Sequence, residues 1–114
     1  MQPTITERLE HITNAISNIR KITTGRTRGS FANDLVTRLA VERLLEIISE
    51  ASRYIPAEAK SKEPHIHWRG LADLGNRLRH AYPETDANLL WVMIENDLEP
   101  LKQFVEKISR ESNS

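Results

Sequence analysis

Apolar residues recur along the start of the chain at Ile5, Leu9, Ile12, Ile16, Ile19 and Ile22. Steps of three and four put them on one side of an α-helix, so the spacing predicts a helix over Thr4 to Thr23. Thr4 followed by Glu7 fits a capping box at its head, and Gly25 comes two residues after its last turn. The next stretch, RKITTGRTRGSF, has no period and reads as a basic, glycine-bearing loop. A second helix is expected over Asn33 to Tyr54, with Leu35, Val36, Leu39, Ala40, Leu44, Ile47, Ile48 and Ala51, and Ile55 just beyond. Its apolar face is the widest in the chain, which predicts a central position.

A polar connector bounded by Pro56 and Pro64 leads to a third helix, Trp68 to about His80. Trp68, Leu71, Leu74, Gly75 and Leu78 mark one side of it. Arg69, Asp73, Asn76, Arg77 and His80 fall in a narrow wedge on the other at 100° per residue. Pro83 disfavours helical backbone at Tyr82, so His80 and Tyr82 belong at or just past the helix end. The fourth segment opens with Thr85 or Asp86 as N-cap and carries Leu89, Leu90, Val92, Met93, Ile94, Leu98, Leu101, Phe104, Val105 and Ile108. Pro100 inside it should kink the helix or split it in two. No strand-like alternation, internal repeat or low-complexity tract interrupts this pattern. The expectation is all-α: an up-and-down bundle of four long helices, the last kinked or broken near Pro100, as one domain over residues 1–114.

Composition narrows the chemistry. With no cysteine among 114 residues, a disulfide framework, a thiolate zinc site and a cysteine nucleophile are excluded. The start, MQPTITERLEHI, lacks a basic region followed by an apolar run, so no signal peptide is read there. Apolar runs of a few residues are far short of a membrane span, which leaves a cytoplasmic expectation with no membrane partner. The formal net charge is zero, which argues against broad non-specific nucleic-acid binding but leaves room for a local phosphate site. The charges are also segregated. Lys60, Lys62, Arg69, Arg77 and Arg79 dominate the stretch up to Tyr82, whereas Glu84, Asp86, Glu95, Asp97 and Glu99 fill the stretch from Pro83 to Pro100 without a Lys or Arg.

Three constellations could carry chemistry. His65 and His67, with His80 or Asp73 as a third ligand, match no established zinc spacing, so a pair of exposed loop histidines is the simpler reading and no metal or cofactor is expected. Arg20, Lys21, Arg26 and Arg28 could track a phosphate backbone or serve only as a solvated loop. Trp68 and Trp91 fall on apolar helix faces, as core or interface residues rather than a stacking platform. The third constellation is NRLRHAY. Cationic residues in a last helical turn complement the macrodipole, which would explain them without function. Against that, His80 titrates near neutrality, Arg77 and Arg79 offer guanidinium forks for phosphate, and Asn76 lies one turn before His80.

These residues resemble the HEPN superfamily, and within it the HepT-like branch of toxin-antitoxin ribonucleases. LAVERLLEIISEASRYIPAE is similar to that family's central helix. PHIHWRGLADLGNRLRHAYPETD is similar to its Pro-x-Ile-x-Trp stretch and signature, and LLWVMIENDLEPLKQFV to its last helices with their interrupting proline. The signature is an arginine, a polar residue, a few more positions, then His-x-Tyr. His80 and Tyr82 match its end and Asn76 its polar residue, but the position five before the histidine, usually arginine, is Gly75.

The resemblance implies a homodimeric, metal-independent endoribonuclease with His80 moving the proton, Arg77 or Arg79 stabilising charge, and Asn76 positioning. It also implies a minimal nucleotidyltransferase antitoxin that adenylylates Tyr82. The alternative, raised by Gly75, is a catalytically silent helical module that pairs with a nucleotidyltransferase. A helical dimer with an unrelated scaffold role is the third reading.

Overall fold

The expected capping box forms at the head of the first helix, α1 (Ile5–Thr23). The Glu7 amide donates to the Thr4 hydroxyl at 3.1 Å and the Thr4 amide to the Glu7 carboxylate at 2.9 Å. Both satisfy amides that helix geometry leaves without partners. The computed structural model describes residues 3–79 and 87–112, and every regular element among them is a helix. After α1 come α2 (Arg28–Ala32), α3 (Leu35–Ser52), α4 (Ala57–Ser61), α5 (Trp68–Arg79), α6 (Ala87–Asn96) and α7 (Leu98–Ser112). The fold is therefore all-α.

The short helices α2 and α4 occupy stretches that the pattern reads as loop and connector. Helices this short show no apolar period, and α2 rests on local hydrogen bonds instead. Thr27 and Ser30 cap each other reciprocally, at 2.9 and 3.1 Å. Its one buried residue, Phe31, packs its ring against Trp91 of α6, with centroids 5.3 Å apart. Gly25, between α1 and α2, has φ +78, a backbone conformation that side-chain-bearing residues adopt at a cost.

Asp34 sets the start of α3. The Thr37 amide donates to its carboxylate at 3.1 Å, and an Arg26 guanidinium nitrogen lies 2.8 Å from the other oxygen. The Thr37 amide first, then the Thr37 hydroxyl, and then Arg26 hold this carboxyl below its usual range. A depressed folded pKa means the stabilisation is present above the ordinary carboxylate pKa and is lost as pH falls through the lower, folded one. Asp34→Ala is thus expected to melt earlier than wild type at neutral pH, with the gap closing as the medium is acidified. Paired thermal melts across acidic pH check this.

α3 is central, packing on α1, α5 and α2, while α7 closes over α1 and α6 bridges α2 and α7. One core gathers Ile12, Ile16 and Ile19 from α1, Leu71 and Leu74 from α5, and Leu90, Leu98, Leu101 and Val105 from the last two helices. From α3 it takes Ile48 as the spacing expects, but also Val41 and Leu45, which lie off the expected face, while Leu35, Val36 and Leu39 of that face point outward. Each core side chain contributes roughly 1.5–3 kcal/mol on leaving water. At the margin, Arg8 lays its guanidinium 3.5 Å from the Tyr54 ring centre, tying the head of α1 to the turn after α3.

The fourth segment divides, but three residues before the proline. Asp97 is the break, and Pro100 lies in the first turn of α7, where a missing N–H goes unnoticed. The proposed N-caps Thr85 and Asp86 lie outside the described residues. Both tryptophans turn inward. The Trp68 indole N–H is shared between the Lys60 and Glu63 carbonyls at 3.2 Å each, and its ring meets Phe104 edge-on at 5.0 Å. Trp91 is committed to Phe31. The exposed apolar surface is elsewhere, at Leu35, Val36 and Leu39 on the outer face of α3, exposed by 60%, 78% and 52%, and at Leu89 and Val92 on α6.

Candidate functional site

The two faces expected of the third helix are realised on α5. Leu71, Leu74 and Gly75 are buried, with Trp68 and Leu78 packed beside them, while Arg69, Asp73, Asn76 and Arg77 are exposed. Asn76 and Arg77 therefore face outward near the end of the helix. Arg79 closes α5. Its side chain, His80 and Tyr82 lie outside the described residues, so the structure brings together two of the five residues singled out from the sequence. Gly75 sits on the opposite, core-facing side from Asn76 and Arg77.

Among the described residues, acids of the stretch from Pro83 to Pro100 meet the first basic loop rather than the Lys and Arg of the stretch before Tyr82. Arg20 pairs with Glu99 at 3.1 Å, Arg26 with Asp34 at 2.8 Å, and Arg28 with Glu95 at 3.7 Å. The basic loop is thus largely neutralised by acids of α3, α6 and α7, which favours the structural reading of that loop over a phosphate track. The loop histidines turn to different acids. His65 Nδ1 is 3.5 Å from Glu63, and His67 Nδ1 is 2.9 Å from Asp97. Among the described residues no group of three His, Asp or Glu side chains converges as a metal site would require.

Between α5 and α6 lies an open groove of about 580 Å³. Leu74, Leu89, Val92 and Met93 form its floor. Arg69, Asp73 and Arg77 stand along the α5 lip, and His67, Asn96 and Asp97 close one end. Arg77 thus belongs both to the exposed polar wedge and to the groove.

A family model described as "Ribonuclease HepT-like" matches residues 12–108. The chain belongs to the HepT-like ribonuclease family. It is 39% identical over 102 residues to "Probable ribonuclease HepT" of Thermococcus cleftensis, an alignment that spans 90% of this chain and 93% of that one. It is 42% identical over 76 residues to "Putative RNase MJ1380" of Methanocaldococcus jannaschii, spanning 67% and 70% of the two chains. No solved structure matches. The HepT-like match takes in the whole of α3, α5 and α6, and hence the wedge, the groove and the His-x-Tyr segment. No described helix of this HepT-like chain is long and apolar enough to cross a membrane.

Reading the sequence missed the pairing of His67 with Asp97. Thirty positions separate them, and neither local spacing nor periodicity links a residue before one helix to the break between two others. The only available hint was an acid placed at a helix junction ahead of Pro100.

Proposed function

We propose that this chain is a metal-independent endoribonuclease toxin, acting in the cytoplasm as a single HepT-like domain over residues 1–114. The observation that carries it is the placement of Asn76 and Arg77 on the outer face of α5, directly before the His-x-Tyr segment of a HepT-like chain. RNA brings its own nucleophile, the 2′-hydroxyl. Attack on the adjacent phosphate needs a group that takes up and returns a proton, and a cation for the charge that accumulates on the phosphorane. His80 moves the proton, Arg77 or Arg79 meets the charge, and Asn76 positions the phosphate or the ring.

Control is proposed to come from a minimal nucleotidyltransferase antitoxin that attaches AMP to Tyr82. The new phosphodiester brings negative charge and bulk two residues from His80, competing with RNA for the same arginines. The test is incubation of purified protein with single-stranded RNA in excess chelator, alongside intact-mass measurement after co-expression with a minimal nucleotidyltransferase. Cleavage together with a mass gain at Tyr82 is expected. The second reading, a silent module that only pairs with the nucleotidyltransferase, is favoured by Gly75, which is buried and carries no cation. Modification without cleavage would select it.

A homodimer belongs to the same proposal. Leu35, Val36 and Leu39 form an exposed apolar patch, a feature that marks association surfaces. Leu39→Glu is expected to shift the protein from dimer to monomer in light scattering while leaving its melting temperature nearly unchanged. A wild-type monomer at micromolar concentration would remove this part of the proposal.

A further inference from the structure

Among the described residues, two arginines on the groove beside α5 are left without an acidic partner. Arg20, Arg26 and Arg28 pair with acids of other elements, and Arg43 and Arg53 with Glu46 and Glu50 of their own helix region. Among the described residues, Arg69 and Arg77 have no carboxylate partner, although Asp73 stands one turn from each on the same lip. The floor below them is apolar, formed by Leu74, Val92 and Met93. At the far end, His67 Nδ1 lies 2.9 Å from the Asp97 carboxylate, close enough that this nitrogen carries the proton. In the neutral ring Nε2 is then an acceptor. The Asp97 side chain is only 14% exposed and His67 71%, so the acid is fixed and the ring is open to a ligand.

A guanidinium suits a phosphate, an apolar floor suits the face of a base, and an imidazole acceptor suits a ribose hydroxyl. An RNA strand offers all three at every residue, whereas DNA offers the phosphate and the base but not the hydroxyl. Arg69 and Arg77 are about 12 Å apart along the helix axis at 1.5 Å per residue, so they engage different phosphates. His67 is about 15 Å from Arg77 by the same measure, outside the reacting centre.

We propose that the α5–α6 groove is a substrate-strand subsite: Arg69 holds a phosphate beyond the scissile one, the floor holds a base, and His67, oriented by Asp97, accepts a ribose 2′-hydroxyl. This rests on the ribonuclease reading and adds to it the path of the strand, from Arg77 toward the N-terminal end of α5. His67 and Arg69 are both exposed, so truncating either leaves the fold in place.

The test is fluorescence anisotropy with an end-labelled single-stranded RNA and the DNA of the same sequence, in a His80→Ala background so that RNA is not consumed. Arg69→Ala is expected to weaken both ligands roughly tenfold and to lower the slope of log affinity on log salt by about one. His67→Ala is expected to weaken RNA several-fold with DNA unchanged, narrowing the preference for RNA. In cleavage assays with His80 present, both variants raise KM with kcat retained. If affinity, salt slope and RNA preference are unaltered in both variants while wild type still cuts RNA, the subsite is overturned, the nuclease reading stands, and the groove is left to a protein partner. Wild-type protein that neither binds nor cuts RNA overturns both.

Discussion

Replacing His80 with alanine is expected to abolish RNA cleavage while leaving helical content and melting temperature near wild type. The reaction needs a proton taken from the 2′-hydroxyl and one returned to the leaving 5′-oxygen, and positioned general acid–base groups contribute typically 10²–10⁴-fold. Among the side chains of the signature, only His80 exchanges a proton near neutral pH: arginine stays protonated, asparagine has no titrating proton, and tyrosine ionises near 10. The competing explanation is that His80 only complements the negative end of α5, as Arg77 and Arg79 also would. That role is worth a fraction of a kcal/mol at an exposed helix end and would show in melting, not in turnover. Rates and melts measured on the same preparations separate the two. Cleavage that continues at the wild-type rate in the variant would end the assignment of His80.

The parts of the fold legible in the sequence are those in which one side of an element is buried for several turns. α1, α3 and α5 begin and end within two residues of the limits expected from their apolar spacing. Buried spacing also placed Gly75 correctly on the core side of α5. The short helices were not legible, because α2 is held by the reciprocal Thr27 and Ser30 hydrogen bonds and a single buried ring rather than by a stripe. Nor could spacing tell whether Trp68 and Trp91 face a partner or the core; that depends on Phe104 and Phe31, which approach from other elements. At the candidate site the sequence supplied the wedge of Arg69, Asp73, Asn76 and Arg77, since a helix converts spacing directly into a face. It could not supply the groove, which exists because α6 returns beside α5, nor the His67–Asp97 contact at the groove's end. Charge segregation was visible, but its meaning was not. The acids after Pro83 are used in part by Arg20, Arg28 and His67, and among the described residues Arg69 and Arg77 have no carboxylate partner.

The second large effect concerns where the catalytic cation has gone, and two substitutions on neighbouring residues of α5 should fail in opposite ways. Arg77 is exposed and makes no ion pair among the described residues, so Arg77→Ala should leave stability within about 0.5 kcal/mol of wild type. If Arg77 meets the phosphorane charge, the same change should cost roughly 2–4 kcal/mol of transition-state stabilisation, about thirty- to a thousandfold in kcat. Should Arg79 carry that role instead, the loss moves to Arg79→Ala, and one of the two must show it if the enzyme is active.

Gly75→Arg restores the family's usual residue at its usual place in the signature, yet here it is expected to damage the protein. Gly75 is buried between Leu71 and Leu78 on the side of α5 that packs on α3, and a guanidinium there would enter the core without a partner. Burying an uncompensated charge costs several kcal/mol, a large share of the 5–15 kcal/mol that holds a domain of this size together. Loss of cooperative melting in Gly75→Arg, beside intact melting and lost turnover in an Arg77 or Arg79 variant, would mean that the cation has moved along the helix because the old position became part of the core. A stable, more active Gly75→Arg protein would mean that the position still faces the substrate, and the buried placement of Gly75 would have to be abandoned.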